Sequence, residues 1–468
     1  FLESLNEIVG KENVMLDDST RKQKSQDLYA LRLYQKHVGW EPILPVAVVE
    51  PANTEEISKL LKLCNENNIP VIPYGGGSGV LAGAETVNEN TLVIDLKKLD
   101  KVLDFSDENL TVTCQSGVFI NDLEAYANEK GFILGHYPQS MDLAEMGGLV
   151  ATRSIGQFST KYGGIEDLLL GLEAVLPNGE IIRIKANPRR AVGPDLRHLF
   201  LGSEGFIGII TEVTVKVFPE HEARWKQAYR VKNMRDGLEI IRKVMREEIK
   251  PAVVRLHDWL ECEKPYGAFM EEGENLLIFL SEGSKALCEF EGKIIDKVVT
   301  ENGGIAVGEK PVDIWFKHRN DAADEFEEYG PMGILVDTIE VSSGWDKIAD
   351  IYEETLERVY YEVPETVFFS GHSSHSYLTG TNIYFQLGAI PKPDAQDAER
   401  IHRQVWDIVV DVTLKHGGSM GHHHGVGKHR SKYIKDEHGS SYELLEGIKN
   451  KFDPKNIMNP GVIIKVKN

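Results

Sequence analysis

Cysteine is scarce in this chain: there are four in 468 residues, Cys64, Cys114, Cys262 and Cys288, with no C-x-x-C pair. Neither a zinc knuckle nor a disulfide framework is indicated by that spacing, and a reducing cytoplasm is the expected compartment. Long apolar runs are lacking as well, and none approaches the ~20 residues that cross a bilayer. Positive charge is in deficit, with 52 Lys and Arg against 73 Asp and Glu and a formal net charge of −21. That balance disfavours nucleic acid or an anionic membrane surface as a general partner. An anionic substrate must therefore be met by a local cluster of cations. The dinucleotide fingerprint G-x-G-x-x-G is missing, and so is the Walker pattern, because no GK[ST] follows the densest glycine run. There is no internal repeat and no low-complexity tract. The carboxyl-terminal Lys465-Val466-Lys467-Asn468 carries no peroxisomal address, and a start at Phe1 without an initiator Met leaves room for a removed targeting segment.

Glycine, by contrast, is concentrated. Pro73-Tyr74-Gly75-Gly76-Gly77-Ser78-Gly79 directly follows the apolar Pro70-Val71-Ile72 and precedes Gly83. Glycines this dense leave backbone N–H groups uncovered, so the chain can fold closely around a pyrophosphate and satisfy its oxygens. A ligand-free surface loop is the alternative for such a run taken alone. Further blocks argue for the ligand: Pro138-Gln139-Ser140-Met141-Asp142, then Gly147-Gly148-Leu149-Val150-Ala151-Thr152-Arg153, then Tyr162-Gly163-Gly164-Ile165-Glu166-Asp167, and finally Gly202-Ser203-Glu204-Gly205-Phe206-Ile207-Gly208-Ile209-Ile210-Thr211-Glu212. In order and spacing these blocks resemble the FAD-binding domain of the vanillyl-alcohol oxidase and para-cresol methylhydroxylase flavoprotein family. The resemblance implies FAD contacts at Pro73, Tyr74, Gly75, Gly76, Gly77, Ser78, Gly79, Pro138, Ser140, Asp142, Gly147, Gly148, Thr152, Glu204, Gly205, Gly208 and Ile210. Relatives with covalent flavin carry a histidine in the glycine loop. Here Ser78 stands nearby and no His or Cys does, so non-covalent FAD is expected.

With 41% hydrophobic residues the chain can build sizeable cores, and its length predicts two or three domains. Val46 to Gly79 reads as strand, helix, strand: Ile57, Leu60, Leu61 and Cys64 share a helical face, and Asn53 or Thr54 can cap it. Residues 92–96 and 110–114 read as strands, followed by a helix with Ile120, Leu123 and Ala127 on one face. From Ile165 to Val217 the pattern is strand-rich. Charge rises and glycine thins out after Glu220. The expected organisation is α+β: an FAD-binding domain over 1–219, an α/β substrate cap over 220–416 with helices from Trp345 to Tyr361 and Ala398 to His416, and a segment over 417–468 that returns to the FAD domain.

The second strong feature is Met420-Gly421-His422-His423-His424-Gly425-Val426-Gly427-Lys428. An extended backbone over this run sends His422 and His424 to one side and His423 to the other. Beside a flavin, imidazoles can donate to a developing oxyanion or shuttle a proton, against the alternative of a solvated loop. Metal binding together with His372 and His375 is a further alternative. The usual zinc spacings are absent and the run contains no carboxylate, so no metal is expected.

His-His-His-Gly-x-Gly-Lys resembles the alkylglycerone-phosphate synthase branch of the flavoprotein family. The likeness extends to Arg255 in Pro251-Ala252-Val253-Val254-Arg255-Leu256, to Arg319, and to Tyr384 in Ile383-Tyr384-Phe385. It implies Tyr384, His422, His423, His424 and Arg319 as catalytic residues, and Arg255, Arg319 and Lys428 as the grip on a small phosphate or carboxylate substrate. The guanidinium groups suit that anion bidentately, and a tyrosine near such cations has its phenolate favoured. The alternatives are surface ion-pair arginines and a core tyrosine. The expected reaction replaces the acyl group of an acyl-glycerone phosphate by an alcohol through an adduct at flavin N5, after Tyr384 removes a proton. One departure works against a long-chain substrate: the amphipathic insertion of the synthases, by which they meet the membrane, is replaced by the charge-rich stretch His257 to Glu274. The second expectation is an FAD-dependent dehydrogenase of a 2-hydroxy acid such as D-lactate, with an external electron acceptor. A non-catalytic flavin subunit of an electron-transfer complex ranks third. A homodimer with no more than peripheral membrane contact is expected throughout.

Overall fold

Strands built on β-branched residues, joined by a capped helix, make the first layer of the computed structural model, which describes residues 1–321 and 328–464. The tetrapeptide 465–468 lies outside the described residues. Strands Ala47–Val49, Leu92–Asp95 and Val71–Tyr74 run parallel, with Val14–Met15 antiparallel at one edge. The crossover helix Thr54–Asn67 begins where the Asn53 side chain accepts the Glu56 N–H at 2.9 Å and ends at Asn68 in the left-handed region. It buries Ile57, Leu60, Leu61 and Cys64, the face expected from their spacing. The strand Val71–Tyr74 delivers the chain into the glycine loop.

A second, antiparallel sheet has the order Val102–Ser106, Thr111–Gln115, Ile209–Lys216, Leu169–Val175, Ile181–Ile184. The helix Met146–Thr152 packs on its middle strands Ile209–Lys216 and Thr111–Gln115. These two sheets lie within the region 1–219 expected to form the FAD-binding domain.

The cap is a seven-stranded antiparallel sheet in the order Ile305–Gly308, Ala223–Val231, Asn275–Gly283, Val253–His257, Thr366–Ser373, Gly380–Ala389, Leu335–Gly344. Helices Met234–Met245 and Lys285–Glu301 pack against one half, and Ile348–Glu362 and Ala395–Lys415 against the other. The last two are the helices expected over 345–361 and 398–416. Leu256, Ile339, Val341, Ile383 and Phe385 are fully buried in the strands that carry the polar residues of the next section. Along each strand side chains alternate between faces, which leaves the polar set on the face opposite the apolar one. The architecture is a two-domain α+β fold with 39% helix and 23% strand.

Near the carboxyl end the chain runs beside the glycine-loop strand: Val71 N–H donates to Ile457 O at 2.7 Å, and Asn459 N–H donates to Val71 O at 2.8 Å. Buried Lys449 secures this return by donating to Phe206 O, Met458 O and Asp453 Oδ2. All four cysteines are buried and unpaired. Among the described residues no helix is long and apolar enough to cross a membrane.

Candidate active site

A cavity of about 420 Å³ lies between the glycine-rich segments and the polar face of the cap sheet. Its floor is the loop 75–79. A Cβ on Gly76 would stand 1.6 Å from Leu143 O, so the loop lies flush on the segment 140–145 only because that position has no side chain. Of the expected cofactor residues, Pro73, 75–79, Pro138, Ser140, Gly147, Gly148, Thr152, Glu204, Gly205, Gly208 and Ile210 line the cavity. Two do not. The Tyr74 hydroxyl turns away to donate to Gln26 O at 3.3 Å, and exposed Asp142 bonds Asn121.

The residues present fit FAD. Ser116 Oγ, Ser203 Oγ, Glu145 Oε2 and Gln157 Oε1 border the cavity, buried and without a hydrogen-bond partner among the described residues. Buried polar atoms are seldom left so, and a polar cofactor would satisfy them.

The cap contributes a row of side chains in strand register. His257 pairs with His372, His372 with Tyr384, and Tyr384 with Glu340, across four neighbouring strands. Cross-strand partners share a face, so the row is continuous. His372 and Tyr384 stack at 4.8 Å between ring centroids. Two residues before His257, Arg255 lines the cavity with its Nε–H donated to His257 Nε2 at 3.2 Å. Glu261, from the first turn of the helix Trp259–Tyr266, meets His257 Nδ1 at 2.7 Å and His372 Nδ1 at 3.0 Å. A ring nitrogen facing a carboxylate carries the proton, so His257 Nε2 is left to accept from Arg255. Burial works to raise Glu261, but His372 and His257 hold it well below the usual carboxylate range. Burial pushes His257 down to about 4. Arg255 is 8% exposed and forms no ion pair of its own among the described residues. Its remaining donors are available to an anion in the cavity.

The histidine triplet is not extended. It is a bend wrapped around Glu340, whose Oε1 accepts the N–H groups of His422, His423 and His424 at 3.3, 3.2 and 3.0 Å. Fully buried Arg430 bonds both oxygens of the same carboxylate at 2.8 and 2.9 Å. Although burial opposes it, Arg430 and His424 hold Glu340 well below the usual range. The three rings consequently differ otherwise than alternation predicts. His424 places Nδ1 2.7 Å from Glu340 Oε2, close enough for an ion pair but not aligned as a hydrogen bond, and lines the cavity. His423 also lines it, stacked on Tyr384 at 5.8 Å. His422 stays outside the wall, with Nε2 2.7 Å from Tyr377 Oη and Nδ1 2.8 Å from His423 Nδ1. Burial pushes His422 down to about 4 and His423 well below its ordinary value, so both are neutral imidazoles near pH 7. The triplet is joined to the cofactor domain by Glu204, which accepts the N–H groups of Val426 and Gly427 at 2.6 and 2.8 Å.

Three further expectations are corrected. Burial raises the Tyr384 phenol, against which Thr338 and Arg255 act too weakly, so the protonated phenol and not the phenolate is favoured. Lys428 donates to Gly83 O and Asn459 Oδ1, each at 2.9 Å, and does not line the cavity; it clamps the backbone. Arg319 also stands outside the wall, with its guanidinium 4.1 Å from the Phe316 ring centroid and its carbonyl accepting from Gln139 and Gln157. The structure therefore brings Arg255, Tyr384, His423 and His424 together and leaves Arg319, His422 and Lys428 aside. Glu340, Glu261 and His257 are additions. Their signals were slight: one of two carboxylates in the strand run 335–341, and a His and Glu four apart where a strand meets a helix.

Residues 45–185 match the FAD binding domain, and residues 222–463 match the C-terminal domain of FAD linked oxidases. The chain belongs to the FAD-linked oxidase family. As an FAD-linked oxidase family member it binds FAD, and its relatives divide between chemistries. It is 39% identical to the Uncharacterized FAD-linked oxidoreductase YgcU of Escherichia coli (strain K12), over 100% of this chain and 98% of that protein. It is 30% identical to a D-lactate dehydrogenase of Anaerostipes hadrus, over 90% and 89%. It is 29% identical to the alkyldihydroxyacetonephosphate synthase of Caenorhabditis elegans, over 92% and 77%. A solved alkyldihydroxyacetonephosphate synthase shares the fold, with a TM-score of 0.81 at 23% identity, over 98% of this chain and 84% of that one.

Proposed function

We propose that this flavoprotein oxidises a small hydroxy acid anion, with Arg255 holding the anion, His424 taking the hydroxyl proton and Tyr384 donating a hydrogen bond to the same oxygen. The observation that carries the reading is a buried guanidinium without an ion pair among the described residues and an imidazole 2.7 Å from a carboxylate, in one cavity wall. FAD supplies the two-electron acceptor when bound, and an external oxidant restores it. On the protein side, Glu340 orients His424 and stabilises the imidazolium that forms when the proton arrives. Neutral His423, stacked on Tyr384, adds no charge to repel that imidazolium. Arg255 offers a bidentate grip, and His257, itself turned by Glu261, fixes the plane of the guanidinium.

A second reading, replacement of an acyl group by an alcohol as named in the synthase relatives, is favoured by the His-His-His-Gly-Val-Gly-Lys run and by likeness to a synthase over 92% of the chain. The polar wall formed by Glu261, His257 and His372 is a poor bed for a fatty chain. Mixing the holoenzyme anaerobically with D- and L-2-hydroxy acids decides between the two. Bleaching of the flavin absorbance at turnover rates supports the oxidation. Unbleached flavin, together with exchange of acyl for alkyl groups on a glycerone phosphate, would replace it by the second reading.

A further inference from the structure

On the glycine-rich side of the cavity that takes FAD stand three carboxyl groups, buried Asp27 and Glu145 and half-buried Glu204. The diphosphate of the cofactor adds negative charge, so each of the three must be compensated. Asp27 accepts the N–H groups of Tyr29 and Ala84, each at 3.2 Å, and Glu204 accepts those of Val426 and Gly427. Glu145 has nothing comparable. It occupies the extended position before the helix Met146–Thr152, where its side chain makes no capping bond, and it is 3% exposed. Its Oε2 is buried without a partner among the described residues and would be 3.3 Å from a Cβ on Gly75, so it faces the first glycine of the loop.

The charged groups around it offer little relief. Lys24 is engaged with Asp95 at 2.8 Å, Lys97 pairs with Glu50, and the Asp95 carboxylate itself repels a charge on Glu145, as does any ionisation of Tyr74. Burial and Asp95 together push Glu145 up to about 8, against the pull of Lys24 and Lys97. A bare carboxylate facing an anionic ligand is unfavourable, whereas the neutral acid has an O–H to give.

We propose that Glu145 is a cofactor-binding residue that acts as a neutral carboxylic acid, donating its O–H to an oxygen of FAD, so that the cofactor and one proton bind together. FAD is then held tightly at neutral pH and loosened in alkali by loss of that proton.

The test is the dissociation constant of FAD, measured by equilibrium ultrafiltration of the holoenzyme between pH 7 and 9.5. For the native protein it stays level to about pH 8 and then rises about tenfold per pH unit. Lys428, which burial lowers to about 8, and Glu204, which burial raises to about 7, titrate in the same window in both proteins, and Glu145→Gln removes only the Glu145 contribution. The amide donates at every pH, so above pH 8 the E145Q profile is shallower than the native one by about tenfold per pH unit. Calorimetric titration at pH 9 in two buffers of different ionisation enthalpy gives uptake of close to one proton more in the native protein than in E145Q. A level native profile, equal slopes in the two proteins, or equal proton uptake in the two would each overturn the assignment.

Discussion

Glu340 stands directly opposite Tyr384 in the register of two neighbouring strands, and its carboxylate gathers three consecutive backbone N–H groups of the histidine bend. One buried group thus sets both the loop that carries the imidazoles and the field around the phenol. Glu340→Gln leaves Arg430 uncompensated in a fully buried site. A stability loss of about 3–5 kcal/mol in urea unfolding is expected, with activity lost alongside. A variant as stable and as active as the native protein would show that the bend does not depend on this carboxylate.

Acid should loosen the same region. Glu340 is depressed from its ordinary 4.5, so its stabilisation is complete above pH 4.5 and is lost as pH falls below it. His257 and His422 lie at about 4 against an ordinary 6.5, so their contribution is complete above pH 6.5 and is lost between 6.5 and about 4. Both effects have the same sign. Glu145, Glu204, Asp258 and Asp27, which burial raises, act in the opposite sense over the same range, so the imidazole effect is read as a difference. The advantage in urea midpoint of the native protein over His422→Gln should shrink between pH 6.5 and 4, and a constant difference would contradict burial of the imidazole in neutral form.

The protein should purify yellow and release intact FAD on denaturation. Flavin that remains with the precipitated polypeptide would contradict non-covalent binding. Gly76→Val should yield folded but colourless protein, because the added carbons meet Leu143 O.

Arg255→Ala should retain FAD and lose about 1.5–3 kcal/mol of substrate binding, or roughly 10- to 150-fold in kcat/KM. Arg319→Ala, outside the cavity wall, should change kcat/KM far less. If the two losses are equal, Arg319 reaches the substrate after all.

His424→Ala should lower kcat by roughly 10²–10⁴-fold, the usual size of a general-base contribution. Tyr384→Phe should cost roughly 10²–10³-fold, as for removal of one oxyanion donor. His422→Ala, turned toward Tyr377, should cost less than either. Steady-state kinetics on flavin-replete protein ranks the three, and a different order would reassign the base.

The glycine loop could be read from sequence because a missing Cβ is a local property, and the helix Thr54–Asn67 because its cap and its apolar face lie within fourteen residues. The histidine bend could not. Its shape is imposed by a carboxylate more than eighty positions earlier, and the local pattern suggested a strand. Glu261 and His257 were hidden for the same reason: their partner His372 joins them only through strand pairing, 111 residues away in the case of Glu261. Lys428 was expected on the substrate from the resemblance, yet it donates to the carbonyls of Ala82 and Gly83, 346 and 345 residues distant, and to Asn459 Oδ1.

The row His257, His372, Tyr384, Glu340 lies on four separate strands, so the cap sheet behaves as a ruled grid. In the proposed reaction the hydrogen-bond donor Tyr384 and the carboxylate beside His424 sit on one line of the grid. The parallel line two residues along, where Thr338 faces Gln386, also borders the cavity, as does Arg255 two residues before His257. Substitutions on those flanking positions can change which anion is accepted without disturbing the reacting line, whereas a slip of any strand by one residue would turn its member of the row to the apolar side. On the proposed function, substrate preference is thus free to drift in evolution while the chemistry is locked by register.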